Sequence, residues 1–105
     1  MEPVNWIDAG PTGALSDGQA MSLSLGRRMI AVVRSGAEFF AIEDICTHDG
    51  AELTGGEIEG AEIICPRHGA RFCLRTGEAL TPPAYEPIRV FETKIESGHL
   101  WVHAD

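Results

Sequence analysis

Two short motifs, Cys46-Thr47-His48 and Cys65-Pro66-Arg67-His68-Gly69, place two thiols and two imidazoles at metal-ligand spacing. A Cys-x-His pair sets its donors on alternate residues of one tight loop, and Cys-x-x-His does the same over one further residue. Two such loops meeting tip to tip supply four ligands. A closed tetrahedral zinc site takes two Cys and two His. A [2Fe-2S] cluster takes them differently, with both Cys on one iron and both His on the other. Zinc fingers tend to group like donors, as Cys-x-x-Cys with His-x-x-x-His, whereas each loop here contributes one donor of each kind. That arrangement suits two irons, and a cluster of mixed ligation points to electron transfer.

The elements that must position these loops are short. Apolar residues fall in runs of strand length separated by turn residues, and no window of helical length shows a 3.6-residue period. The chain therefore reads as all-β. Expected strands are 4–7, 21–25, 28–34, 39–43, 62–65, 70–74, 88–96 and 99–103, with turns at Ser35-Gly36, Thr76-Gly77 and Ser97-Gly98. The third and fourth strands read as a hairpin that delivers the chain into the first metal loop. A second hairpin spans 88–103, with Trp101 on its return strand. Segment 49–61 carries Gly50, Gly55, Gly56 and Gly60, giving either a backbone able to turn sharply and bring its N–H groups close to inorganic sulfur or a flexible surface loop, its place between the ligand pairs favouring the first.

At 105 residues the chain reads as one domain, 1–105, with its metal-binding portion at about 44–84. The 12 glycines and 6 prolines fit a structure of many turns. In a core this small, ligation of the metal contributes to folding, and the apo form is expected to be loose around the two loops. The 16 acidic and 8 basic residues, a formal charge of -8, argue against a nucleic-acid partner. They suit either a briefly docking basic protein or simple solubility. Residues 1–6 show no basic stretch followed by an apolar run, no segment has the length of a membrane span, and the three cysteines suggest no disulfide framework. A monomer in a reducing cytoplasm, away from membranes, is the expectation.

Nearly the whole chain resembles a Rieske-type ferredoxin. The likeness rests on Cys46-Thr47-His48, Cys65-Pro66-Arg67-His68-Gly69, the Phe72 region, Thr76-Gly77-Glu78, Pro82-Pro83 and the terminal hairpin. It implies a Rieske-like antiparallel β-sandwich or barrel with a small cluster-binding subdomain made of two ligand loops. It further implies a [2Fe-2S] cluster bound by Cys46 and Cys65 at the buried iron and by His48 and His68 at the outer one, shielded by a third loop at Pro82-Pro83. Respiratory members carry two extra cysteines where this chain has Ala51 and Arg67, and hydroxyl donors where it has Ala70 and Phe72. Without those donors the reduced cluster loses stabilisation, which implies a potential near the lower end of the Rieske range, around -150 mV. The resemblance is to the ferredoxins of bacterial aromatic-ring-hydroxylating dioxygenase systems. It implies a carrier of single electrons from a flavoprotein reductase to a terminal oxygenase, with no catalytic residues of its own. An alternative is an electron-transfer or accessory subunit of another system, such as a nitrite reductase small subunit or an iron-sulfur assembly protein.

Cys73 reads first as a buried structural thiol, with redox sensing or a spare ligand as the alternative. His99 and His103 lack a second donor at ligand spacing and read as surface residues, and Trp6 and Trp101 read as core or rim aromatics. Arg67 either contacts an acidic patch on a partner or fills the place of a missing cysteine. Asp49 and Glu52 either lower the potential by their charge or are solvated loop residues.

Overall fold

The structure is a computed structural model that describes residues 6–25, 28–47, 50–67 and 69–103. Its strands, in chain order, are β1 (Trp6–Pro11), β2 (Ala20–Leu25), β3 (Arg28–Ser35), β4 (Glu38–Glu43), β5 (Ile58–Glu59), β6 (Glu62–Ile64), β7 (Arg71–Cys73), β8 (Val90–Glu96) and β9 (His99–His103). The one helical element among the described residues is a 3-10 turn at Thr12–Ala14. All strand pairings are antiparallel, in a six-stranded sheet of order β1-β9-β8-β4-β3-β2 and a three-stranded sheet of order β5-β6-β7. The all-β expectation is met, and the smaller sheet carries the segment around the second ligand motif. No helix among the described residues is long and apolar enough to cross a membrane.

β3 explains how one short chain supports two packed faces. Ile30, Ala31, Val32 and Val33 are all fully buried, because successive side chains of a strand point to opposite faces and both faces are covered. Ala31 and Val33 pack with Ile42, Leu53, Ile63, Phe72, Leu74 and both motif cysteines. Ile30 and Val32 pack with Leu15, Ala41, Phe91, Leu100 and Val102. β4 follows the same rule, with Phe40 and Ile42 on the cysteine side and Phe39 and Ala41 on the other. Full burial of each larger aliphatic side chain contributes roughly 1.5–3 kcal/mol.

Register is set by two-residue turns. β3 and β4 close at Ser35↔Glu38, and β8 and β9 close at Glu96↔His99. In the second turn Ser97 and Gly98 both have positive φ, 53° and 75°, the signature of the primed turn that matches strand twist.

Several boundaries differ from the sequence expectation for identifiable reasons. The first strand runs Trp6–Pro11 rather than 4–7, and residues 4 and 5 lie outside the described part. Ile88 stands outside β8 because its N–H donates to the Gly77 carbonyl at 2.8 Å instead of to a strand neighbour. Cys65 leaves β6 because its N–H closes a local loop on Ala70. β5, two residues long within the glycine-rich segment, carries too little apolar pattern to be read from sequence.

Candidate metal centre

The two ligand motifs fold into loops with one hydrogen-bond plan. After β4 the chain reaches Cys46, whose N–H donates to the Ala51 carbonyl at 2.7 Å while the Gly50 N–H donates to the Cys46 carbonyl at 2.8 Å. After β6 it reaches Cys65, whose N–H donates to Ala70 at 2.7 Å while the Gly69 N–H donates to Cys65 at 3.0 Å. Gly50 and Gly69 stand at matching positions with φ of 79° and 75°. A Cβ at either would meet nothing within 4 Å, so the left-handed backbone, and not lack of space, makes glycine the suitable residue. The motifs differ in Cys-to-His spacing yet share Gly-Ala at the fourth and fifth residues after the cysteine. That repeat was visible in the sequence and is a sharper signal of two equivalent loops than the ligand spacing alone.

Cys46 and Cys65 are each 1% exposed and belong to the same buried cluster. Neither forms a disulfide, and nor does Cys73. His48, His68 and Asp49 lie outside the described residues. Among the described residues no group of three or more His, Cys, Asp or Glu is gathered at a metal-binding distance.

The surroundings of the cysteines are apolar. Ala70 and Phe72 are fully buried beside them, so neither position supplies a hydroxyl donor. The segment after the cis Pro82-Pro83 bond packs Ala84, 3% exposed, into the same cluster. It is also tied to the first loop, where the Thr47 hydroxyl donates to the Glu86 carbonyl at 2.7 Å. Around this end Arg67, Pro66, Pro82 and Glu86 are exposed and Tyr85 is 81% exposed. Within the glycine-rich segment, Gly56 lies so close to β6 that a Cβ there would meet the Ile64 carbonyl oxygen at 2.0 Å. Close backbone packing thus accounts for at least this glycine.

Asp44 was missed by sequence reasoning. It is 3% exposed, two residues ahead of Cys46, and its carboxylate accepts from the Leu53 and Thr54 amides and from the Thr54 and Ser22 hydroxyls. The signal that would have found it is an acidic residue closing an apolar strand directly before a ligand motif, where a buried carboxylate demands several donors.

Cys73 is half-buried rather than buried, which corrects the sequence expectation. In the three-residue strand β7 the central Phe72 takes the inward position, so its neighbours point the other way. The Thr76 hydroxyl hydrogen-bonds to the Cys73 sulfur and lowers its pKa; desolvation opposes this, and the Thr76 and Arg75 amides assist.

Exposed charges form clasps away from the cysteines. Arg71 on β7 reaches Glu59 on β5 at 2.9 Å and Glu62 on β6 at 3.2 Å, crossing all three strands of the small sheet. Arg75 pairs with Glu38 at 2.7 Å and lies over the Phe40 ring. His99 Nδ1 meets Asp8 at 2.9 Å and holds the carboxyl below its usual range. His103 packs obliquely on Trp6 with ring centroids 5.0 Å apart. Both histidines and both tryptophans are half-buried, Trp6 on the edge strand β1 and Trp101 on the neighbouring β9.

Two buried, unbridged thiols at the heads of matching loops are a chemically apt donor pair for an iron-sulfur centre, whose metal takes soft thiolate ligands. The Rieske [2Fe-2S] domain profile matches residues 5–92, and the chain belongs to that family. A [2Fe-2S] cluster is therefore its cofactor. Within the family the likeness is to ferredoxins. The chain is 36% identical over 100 residues to the 3-phenylpropionate/cinnamic acid dioxygenase ferredoxin subunit of Escherichia coli, covering 94% of this chain and 93% of that one. It is also similar to a chain in the complex of reduced oxygenase and oxidized ferredoxin in carbazole 1,9a-dioxygenase. That match has a TM-score of 0.90 and 32% identity over 96% of this chain and 94% of that one. A nitrite reductase small subunit from Mycobacterium tuberculosis shares the fold, with a TM-score of 0.87 at 18% identity over 99% of this chain and 98% of that one.

Proposed function

We propose that this chain is a one-electron carrier that accepts electrons from a flavoprotein reductase and delivers them to the terminal oxygenase of an aromatic-ring-hydroxylating system. The observation that carries the reading is the pair of matching loops that present Cys46 and Cys65, both buried, in one apolar cluster. Likeness to ferredoxin components of dioxygenase systems supports it. Cys46 and Cys65 would hold one iron, and His48 and His68 would hold the other. The bound cluster supplies a single-electron couple and no bond-making chemistry.

The protein's own residues do the rest. Leu53, Phe72, Leu74 and Ala84 exclude water from the thiolate side. Thr47 fastens the third loop over the first. Ala70 and Phe72 offer no hydroxyl to the sulfurs, which supports a potential around -150 mV. The chain acts as a single domain and a monomer in the cytoplasm, transforms no substrate, and docks its partners briefly.

The test is an absorption and low-temperature EPR spectrum of the purified protein, with iron and acid-labile sulfide analysis. A brown protein is expected, reducible by a flavoprotein reductase, with a lower average g value than an all-cysteine [2Fe-2S] centre gives. Replacing His48 or His68 should alter that signal. A colourless protein holding zinc without labile sulfide would overturn the cluster ligation, and refusal of electrons from flavoprotein reductases would overturn the carrier role.

A further inference from the structure

Asp44 is the one charged or polar side chain that is buried among the described residues, at 3% exposure. A carboxylate in such surroundings is costly unless donors surround it. Asp44 has them. Oδ1 accepts the Leu53 N–H at 2.7 Å and the Thr54 N–H at 2.8 Å. Oδ2 accepts the Thr54 hydroxyl at 2.7 Å and the Ser22 hydroxyl at 3.2 Å. Its own N–H donates to the Met29 carbonyl at 2.9 Å, in β3.

These bonds place the residue at a junction. Asp44 follows β4 directly and precedes Cys46 by two residues, while Leu53 and Thr54 are where the chain leaves the first ligand loop. One carboxylate therefore pins both ends of that loop together and through Ser22 ties them to β2, while the backbone N–H of the same residue anchors the strand end to β3 at Met29. Leu53, held by its amide, is fully buried in the cluster that contains Cys46.

We propose that Asp44 is the positioning residue of the first ligand loop, and that its buried negative charge holds down the reduction potential of the cluster that loop carries. The inference rests on Cys46 as a ligand. Reduction adds one negative charge to the centre. A fixed negative charge close by, behind apolar packing, opposes that gain more strongly than an exposed one, which water and salt screen.

The experiment uses the full-length, cluster-loaded protein. In Asp44→Asn the amide oxygen still accepts from Leu53 and Thr54, and its NH2 donates to the two hydroxyl oxygens, so the junction survives while the charge is lost. Expected is an unchanged absorption and EPR spectrum with a potential shifted positive, by more than exposed Glu52→Gln shifts it. An intact spectrum with an unshifted potential would overturn the electrostatic role. Thr54→Val keeps the charge and removes one anchoring bond. It should leave the EPR line shape intact and release the cluster several-fold faster on heating; release at the parent rate would overturn the positioning role, and serves that purpose even if Asp44→Asn does not fold. Cys46→Ser in parallel separates the two readings: a cluster spectrum unaffected by that change would remove Cys46 as a ligand, whatever Asp44 does.

Discussion

The Thr47 hydroxyl and the Glu86 carbonyl, 39 positions apart in sequence, meet at 2.7 Å and lock the third loop onto the first ligand loop. Thr47 is an unassuming residue inside a ligand motif, yet its side chain holds the cover in place. Thr47→Val keeps the shape and deletes the bond. The expected cost is about 1 kcal/mol in urea denaturation of the cluster-loaded protein. Amide exchange at 84–88 should quicken, and unchanged exchange there would count against the latch.

The matching conformations of Gly50 and Gly69 give a paired prediction. Alanine at either position meets open space but must adopt a positive φ, at about 1–2 kcal/mol. Because the two loops share one hydrogen-bond plan, Gly50→Ala and Gly69→Ala should lower the thermal midpoint by similar amounts. A large effect at one site with none at the other would show that the loops are not mechanically equivalent.

Phe72 is fully buried beside both cysteines. A hydroxyl added by Phe72→Tyr enters the cluster that holds both cysteine sulfurs, and a donor to sulfur favours the reduced state. The potential should rise relative to the parent. An intact spectrum with no rise would mean the hydroxyl points elsewhere, and the account of a low potential through missing donors would weaken.

The Asp8–His99 clasp ties β1 to the second hairpin. The His99 hydrogen bond, helped by the Gly10 amide, lowers the Asp8 pKa beneath its ordinary 3.8. A carboxyl whose folded pKa is depressed contributes stability above its unfolded pKa and loses it as pH falls through the lower folded value. Asp8→Asn should therefore be less stable than the parent at pH 5, with the gap closing as pH falls below about 4. Thermal melts across that range check this, and a gap that persisted at pH 2 would have another origin.

Tyr85 is 81% exposed on the segment tied to Thr47 through Glu86. Exposed tyrosines are frequent energetic anchors of protein interfaces. Under the proposed carrier role, Tyr85→Ala should weaken productive docking with a terminal oxygenase roughly tenfold, equivalent to about 1.4 kcal/mol, while the potential stays the same. Electron-transfer rates at the parent level would remove Tyr85 from the interface.

Much of this arrangement was legible in the residues. The apolar runs at strand length announced an all-β chain, and the hairpin read over 28–43 stands as β3 and β4; that Ile30 to Val33 are covered on both faces was not read from the sequence. Which core each of those residues serves was not legible, because alternation tells that neighbours diverge but not what lies on either side. Cys73 was misjudged for a related reason: in a strand of three residues the phase depends on Phe72, and composition alone does not set it. Asp44 escaped notice because its partners, Ser22, Leu53 and Thr54, are spread over 33 positions of sequence. Ile88 was drawn into a strand on apolar character, whereas a single carbonyl, that of Gly77, decided its place.

The division of β3 between two cores has an evolutionary consequence. Val32 and Val33 are chemically identical neighbours, both fully buried, yet one answers to the hairpin side and the other to the ligand loops. The six-stranded sheet therefore works as a partition. Sequence drift among Leu15, Val32 and Val102 falls in the cluster without cysteines, whereas drift at Ala31 or Val33 falls in the one that packs Cys46 and Cys65. A chain built this way can change its back while leaving the packing around its two buried cysteines untouched.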